Sequence, residues 1–196
     1  MAAVLCATHG NLFAACAIHS GLMFHSATTA LQAVQVMRNG SVESQDQIVE
    51  MIASRIGARQ VSALIIQGTD DDTVNPLNAE QIVDQMRQLA VRLHPQGSPP
   101  TLSEEHWTLN GGRRYRQQDL SRSGTLLLRS ILIEGLGHAW SGGDARHRFF
   151  DAAGPDASQL IMEFLLQFRL PEALIGGAGT ASSPPTMSAG ALSEGT

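Results

Sequence analysis

Three short runs made mainly of apolar residues are the feature that most restricts how this chain can fold. They lie at residues 12–18, 61–66 and 126–133. Apolar runs of this length without polar alternation are typical of strands buried on both faces of a sheet, an arrangement found mostly in parallel sheets. We therefore expect three central strands, each ending in a loop at the same edge of the sheet.

Segments with the apolar spacing of helices separate these runs. They lie at residues 1–7, 27–37, 46–57, 78–93 and from 156 onward. The alternation predicts an α/β fold with a mainly parallel sheet that helices cover on both faces. Residues 106–119 are polar and predict edge strands that turn at residues 110–112, and Ser123-Gly124 predicts a hairpin turn into the last apolar run.

Composition excludes several classes of protein. The chain has 196 residues and a formal net charge of −5, so neither a nucleic acid nor an anionic membrane surface is expected as a partner. No apolar segment reaches the ~18 residues of a membrane span, and no signal peptide is recognisable. Cys6 and Cys16 fall in helix-like and strand-like segments, so we interpret both as buried thiols, and a disulfide between them is not indicated.

The composition changes beyond Pro171 to Gly, Ala, Ser, Thr and Pro. Such a segment has too few large apolar side chains to form a packed core. We therefore predict one folded domain at residues 1–170 and a disordered tail at residues 171–196.

An acidic cluster and a histidine follow two of the apolar runs. Asp70-Asp71-Asp72 comes after the second run, and His138 follows the third within the stretch Gly135–Asp144. An acid followed later in the chain by a histidine is the order in α/β-hydrolases, which use Ser, Asp and His in that sequence. The alternatives are a solvated acidic loop and a structural histidine. An EF-hand calcium loop is not expected because Val74 stands where it needs Asp or Asn, and no histidine has metal-ligand spacing.

Four blocks of sequence, taken in order, match a known pattern. They are Phe13-Ala14-Ala15 with His19-Ser20-Gly21; Gln67-Gly68 with Asp71, Val74 and Pro76; Gly135-Leu136-Gly137-His138-Ala139-Trp140-Ser141-Gly142-Gly143; and Gly154-Pro155-Asp156-Ala157-Ser158. Together they resemble the polyhydroxybutyrate (PHB) depolymerase family of α/β-hydrolase esterases, which also takes in feruloyl and acetylxylan esterases. The resemblance covers roughly residues 1–168 and implies hydrolysis of carboxylic esters.

The resemblance implies a role for three residues. It assigns the triad acid to Asp71, three residues after Gly68, with Asp70 and Asp72 as less favoured alternatives. It assigns the base to His138. It places Trp140 in the wall of the acyl or alcohol pocket, with core packing as an equal alternative.

The resemblance also implies partners and a location. The substrate would be a small or polymeric ester, no cofactor or metal would be needed, and the protein would be extracellular or periplasmic. The identity of the ester and the oligomeric state are left open.

The nucleophile motif of the family, Gly-x-Ser-x-Gly, is absent although it should stand directly before the helix that begins at Met1. We therefore expect the chain to be the carboxyl-terminal part of an esterase, a partial α/β-hydrolase fold without its N-terminal strands, and inactive as written. Met187-Ser188-Ala189-Gly190 is no substitute because no strand precedes it, and Ser20 lacks the glycines of the motif.

Two other functions stay open. The first is a non-catalytic remnant that serves in binding or assembly. The second, an unrelated α/β phosphatase or transferase, has less support because no glycine loop for phosphate is present.

Overall fold

A computed structural model describes residues 1–56, 59–108 and 112–171. The helices in these ranges are α1 (Ala2–Thr8), α2 (Ala30–Asn39), α3 (Gln45–Ile56), α4 (Leu77–Leu93) and α5 (Ala157–Leu165). The strands are β1 (Ala15–His19), β2 (Ser62–Gly68), β3 (Thr101–Thr108), β4 (Arg114–Arg122), β5 (Thr125–Ile133), β6 (Trp140–Ser141) and β7 (Phe150–Asp151). Nearly all of the predicted tail at 171–196, most of the turn predicted at 110–112, and residue 57 lie outside the described residues. The division into domain and tail stays a prediction.

The main sheet has five strands in the order β1-β2-β5-β4-β3. The pairs β1–β2 and β2–β5 are parallel, and these three strands are the apolar runs of the sequence. The pairs β4–β5 and β3–β4 are antiparallel and extend the sheet on one side. The predicted α/β class is confirmed, with a sheet that is parallel at its centre and mixed overall.

Alternate residues of β2 pack on opposite faces of the sheet. Ala63 and Ile65 belong to a core formed with α1, α3 and α4, whereas Leu64 and Ile66 belong to a core formed with α5. Every residue of β2 is buried. Burying one Leu or Ile side chain completely contributes about 1.5–3 kcal/mol, so a strand covered on both faces favours an uninterrupted apolar sequence.

The boundaries differ from the prediction where local hydrogen bonds decide them. Helix α2 begins at Ala30 rather than 27 because Thr29 and Gln32 form a reciprocal capping box. The segment predicted as edge strands, 106–119, starts earlier as β3 and ends later as β4. The turn between β4 and β5 is confirmed at Ser123-Gly124, whose φ values of 48° and 79° fit a two-residue hairpin loop.

Both cysteines lie where the sequence predicts them. Cys16 is buried in β1 and Cys6 is partly buried in α1, and both are free thiols. Among the described helices, none combines the length and the apolar character needed to cross a bilayer.

Candidate active site

The loops that follow β2 and β5 are held together by backbone hydrogen bonds. The N–H of Asp70 donates to the carbonyl oxygen of Leu136 at 3.0 Å, and the N–H of Thr69 donates to that of Ile133 at 2.9 Å. The side chain of Thr69 in turn accepts from the N–H of Gly135 at 2.8 Å. Because β2 and β5 are parallel neighbours, both loops leave the same edge of the sheet, where sites of open α/β sheets gather.

Asp71 lies in the first of these loops with its carboxylate turned inward. Its Oδ1 accepts from the backbone N–H groups of Val74 at 2.8 Å and Thr73 at 3.1 Å, and its Oδ2 accepts from Nε2 of Gln67 at 3.2 Å. The side chain has no exposed surface. These donors fix the direction in which the carboxylate points.

His138 lies in the second loop and faces that carboxylate. Its Nδ1 is 3.0 Å from Oδ2 and 3.2 Å from Oδ1 of Asp71. A carboxylate only accepts hydrogen bonds, so Nδ1 carries the proton and Nε2 of the neutral ring is left as an acceptor. This is the tautomer in which an imidazole can take a proton from a hydroxyl.

The environment of Asp71 keeps it ionised. Burial alone raises the pKa of the carboxyl, but the hydrogen bonds from Val74 and His138 outweigh it, and the pKa lies below its ordinary value. A buried carboxylate held as an anion beside an imidazole stabilises the imidazolium form that arises during proton transfer.

Of the three consecutive aspartates, Asp71 is the one that contacts His138. Asp70 accepts from the hydroxyl of Thr69 at 2.8 Å and is exposed, and Asp72 is exposed as well. Asp70 and Asp72 are therefore not part of the contact with His138. The catalytic role of Asp71 and His138 stays a prediction.

An open cleft of about 340 Å³ borders the pair. Its walls are His19, Ser20, His138, Ala139, Trp140 and Phe149. Trp140 lies in this wall, and its Nε1 also donates to the hydroxyl of Ser158 at 3.3 Å. The tryptophan is therefore both a cleft residue and a packing residue.

Sequence reasoning gave no role to His19 or Phe149. Both line the cleft. The signal for His19 was its position at the carboxyl end of β1, the parallel neighbour of β2. Phe149 has a positive φ of 68° and a side chain that is 58% exposed, and no local pattern marks it.

Two blocks that carried the resemblance pack directly on each other. The hydroxyl of Ser141 is fully buried and donates to the carbonyl oxygen of Pro155 at 2.6 Å. A Cβ atom on Gly154 would lie 2.2 Å from that hydroxyl oxygen. The block that begins the last helix therefore supports the loop that holds His138 and Trp140.

No cluster of metal-ligating side chains occurs in the ranges the structure describes. Comparison with family models establishes the protein family. The model described as esterase PHB depolymerase matches residues 1–99, about half of the 196 residues.

The chain belongs to the esterase PHB depolymerase family. Membership supports an esterase, and thus a hydrolase, as the class of activity. Asp71 lies inside the region matched by the esterase PHB depolymerase model and His138 lies outside it. The comparison with curated proteins finds no match.

Proposed function

We propose that this protein is a carboxylic ester hydrolase in which Asp71 and His138 are the acid and base of a Ser-His-Asp triad. The observation that carries this proposal is the pair itself: a fully buried carboxylate 3.0 Å from Nδ1 of a histidine whose side chain is 37% exposed toward solvent. Family membership supports the ester bond as the target. We further propose that the domain is of the α/β-hydrolase type and related to feruloyl and acetylxylan esterases.

The proposed reaction runs through an acyl-serine. Nε2 of His138 accepts the proton of a serine hydroxyl while the serine oxygen bonds to the ester carbonyl carbon. The C–O bond to the alcohol then breaks, and His138 gives the proton to the departing alkoxide. A water molecule, deprotonated by the same nitrogen, hydrolyses the acyl-serine and releases the acid. Asp71 orients the ring and stabilises its charged form throughout.

The nucleophile is the part of the proposal for which this sequence offers no candidate motif. The 196 residues contain no Gly-x-Ser-x-Gly. Within the described residues, the hydrogen bonds of the His138 side chain go from Nδ1 to Asp71. We propose that the serine and its oxyanion donors come from outside these 196 residues and that residues 1–196 alone do not turn over esters.

The cleft supports an ester with an apolar group next to the carbonyl. Trp140 and Phe149 supply aromatic surface on its walls. A polyester or an aryl ester fits this surface, and Trp140 would contact the acyl or alcohol part. Members of the family are typically secreted, so an extracellular or periplasmic location is part of the proposal.

The experiment starts with the DNA immediately upstream of codon 1. We expect an in-frame extension that encodes Gly-x-Ser-x-Gly, and an extended protein that hydrolyses p-nitrophenyl butyrate. In that protein His138→Ala should lower kcat by about 10⁴–10⁶-fold. The matched control is His94→Ala, an exposed histidine outside the cleft, which should keep the activity.

A non-catalytic role in binding or assembly is the alternative, and the missing motif favours it. In-frame stop codons or a frameshift upstream would support that alternative. Turnover by residues 1–196 that survives His138→Ala would contradict the proposed triad.

A further inference from the structure

His19, the last residue of β1, contacts three parts of the candidate site. Its ring stacks on the indole of Trp140, with centroids 5.0 Å apart and an interplanar angle of 15°. Its Nε2 lies 3.4 Å from the backbone nitrogen of Ser141, and its Nδ1 lies 3.2 Å from Oγ of Ser20. The ring therefore joins the wall of the cleft to the loop beside Asp71.

These contacts define where the proton of His19 sits. A backbone N–H can only donate, so Nε2 of His19 must be the acceptor from Ser141. In a neutral imidazole the proton then lies on Nδ1, which points at the hydroxyl oxygen of Ser20. This is a single tautomer fixed by its two neighbours.

The ring is neutral over the working range of an enzyme. Burial lowers the pKa of His19 to about 4, the charge of Asp71 opposes this shift, and His138 adds to it. The hydrogen bond from Ser141 also requires a neutral ring, because Nε2 can accept only when it carries no proton.

The Ser20 hydroxyl is oriented by this tautomer. Because Nδ1–H of His19 donates to its Oγ, the hydroxyl oxygen is the acceptor of this contact. Ser20 also has a positive φ of 49°, an uncommon conformation for a residue other than glycine. Its N–H donates to the carbonyl oxygen of Ile66 at 2.9 Å, which holds the residue in place.

We propose that His19, with its proton on Nδ1 and with Nε2 accepting from Ser141, is a positioning residue that holds Trp140 as a wall of the cleft. Ser20 is on this account not the nucleophile but the acceptor that fixes the tautomer of His19. This role rests on the proposed function, since it names what orients the wall of that site. It yields measurements that require no ester turnover.

The first measurement is the tautomer of His19. In long-range ¹H–¹⁵N NMR spectra of the full chain at pH 7, Nδ1 of His19 should have a pyrrole-type shift and Nε2 a pyridine-type shift. The opposite assignment, or averaged shifts from both tautomers, would overturn the proposal.

The second measurement is the fluorescence of Trp140. His19→Asn loses the ring that stacks on the indole, so the emission of Trp140 should shift to the red. The fluorescence is recorded in a Trp107→Phe background, which leaves Trp140 as the only tryptophan.

Matched controls separate positioning from packing. Ser62→Ala removes a buried hydroxyl that donates to Leu126 at 2.9 Å, away from the cleft, and should change neither signal. His19→Phe keeps an aromatic ring against Trp140 and should restore the fluorescence. Unchanged Trp140 emission in His19→Asn would contradict the proposal.

These outcomes are separable from those of the proposed function. An extended protein without esterase activity, but with the Nδ1–H tautomer and the red-shifted emission of His19→Asn, would refute the esterase and leave the positioning network standing. An active, His138-dependent enzyme with His19 protonated on Nε2 would refute the positioning network alone.

Discussion

Gly68 at the end of β2 lies directly against the backbone of Leu136 in the loop after β5. A Cβ atom on Gly68 would be 2.1 Å from the carbonyl oxygen of Leu136, which is much shorter than the contacts that real Cβ atoms make. The two loops approach this closely where the Asp70 N–H bonds the same oxygen. Asp71 and His138 follow within three residues of this contact, so the absence of a side chain at position 68 is what lets them meet.

Gly68→Ala should therefore push the two loops apart. Because the clash is with backbone rather than a flexible side chain, we expect a loss of about 1–3 kcal/mol in the free energy of unfolding, measured with urea. The low-field proton resonance of the His138 Nδ1–H, bonded to a carboxylate, should weaken or disappear.

Gly137→Ala is the matched control in the same loop. A Cβ atom there would meet nothing closer than the backbone oxygen of Asp70 at 3.9 Å. Stability should stay within about 0.5 kcal/mol of the wild type. If Gly68→Ala were equally harmless, the close approach of the loops would not be what positions the pair.

Asp71→Asn should change how stability depends on pH. The pKa of Asp71 in the folded protein lies below its ordinary value, so its carboxylate contributes stability above the unfolded pKa of about 3.9. That contribution is lost as the pH falls through the folded pKa. We expect Asp71→Asn to cost about 1–3 kcal/mol at pH 7 and the difference from wild type to shrink below about pH 4, as measured by urea unfolding at each pH.

Asp72→Asn tests whether this effect is specific. Asp72 is exposed, and its side chain contacts the hydroxyl of Thr73 at 3.4 Å. The substitution removes the same charge one residue away and should change stability by less than about 0.5 kcal/mol. If the difference in the free energy of unfolding between wild type and Asp71→Asn stayed constant with pH, ionisation of the carboxylate would not be the source of the stability.

The central strands could be predicted from the sequence because their physics is local. The strand β2 is buried along its whole length, and burial on both faces favours the apolar residues at 63–66 that the sequence shows. The ends of the polar strands β3 and β4 were misplaced because residues 101–107 are exposed and β4 is mostly only partly buried, so neither strand shows a strict alternation of apolar and polar residues. The start of α2 was missed by three residues because the capping box of Thr29 and Gln32 outweighs the apolar spacing.

The candidate site was predictable in part. The family pattern that the sequence resembles, with its offsets from Gly68 to Val74, favoured Asp71 over its neighbours, and the turn in which Asp71 accepts from the Val74 N–H explains that spacing. The pairing of this carboxylate with His138, however, joins residues that lie 67 positions apart. The orientation of the His19 ring likewise depends on Ser141, which is 122 residues away. Contacts at such separations leave no trace in a local pattern.

Asp151→Asn should loosen the loop that carries the aromatic wall. Arg113 donates to Asp151 at 2.7, 3.1 and 3.2 Å, and the two side chains are only 28% and 18% exposed. Because the pair is partly desolvated, we expect a loss of about 1–2 kcal/mol in urea unfolding. The control is Asp84→Asn, whose partner Arg87 forms an ion pair that is more than half exposed and should contribute less than about 0.5 kcal/mol.

Ser141 and Gly154 should show energetic coupling because each occupies space that the other needs. Ser141→Ala removes a buried hydroxyl that donates to Pro155 and should cost about 1–3 kcal/mol. Gly154→Ala should be costly by itself, since its Cβ atom would lie 2.2 Å from the Ser141 oxygen. In the double variant that oxygen is gone. Its loss of stability should therefore be smaller than the sum of the two single losses, by about 0.5–3 kcal/mol. Urea unfolding of the four proteins measures this coupling; strict additivity would mean that the two blocks do not support each other through this contact.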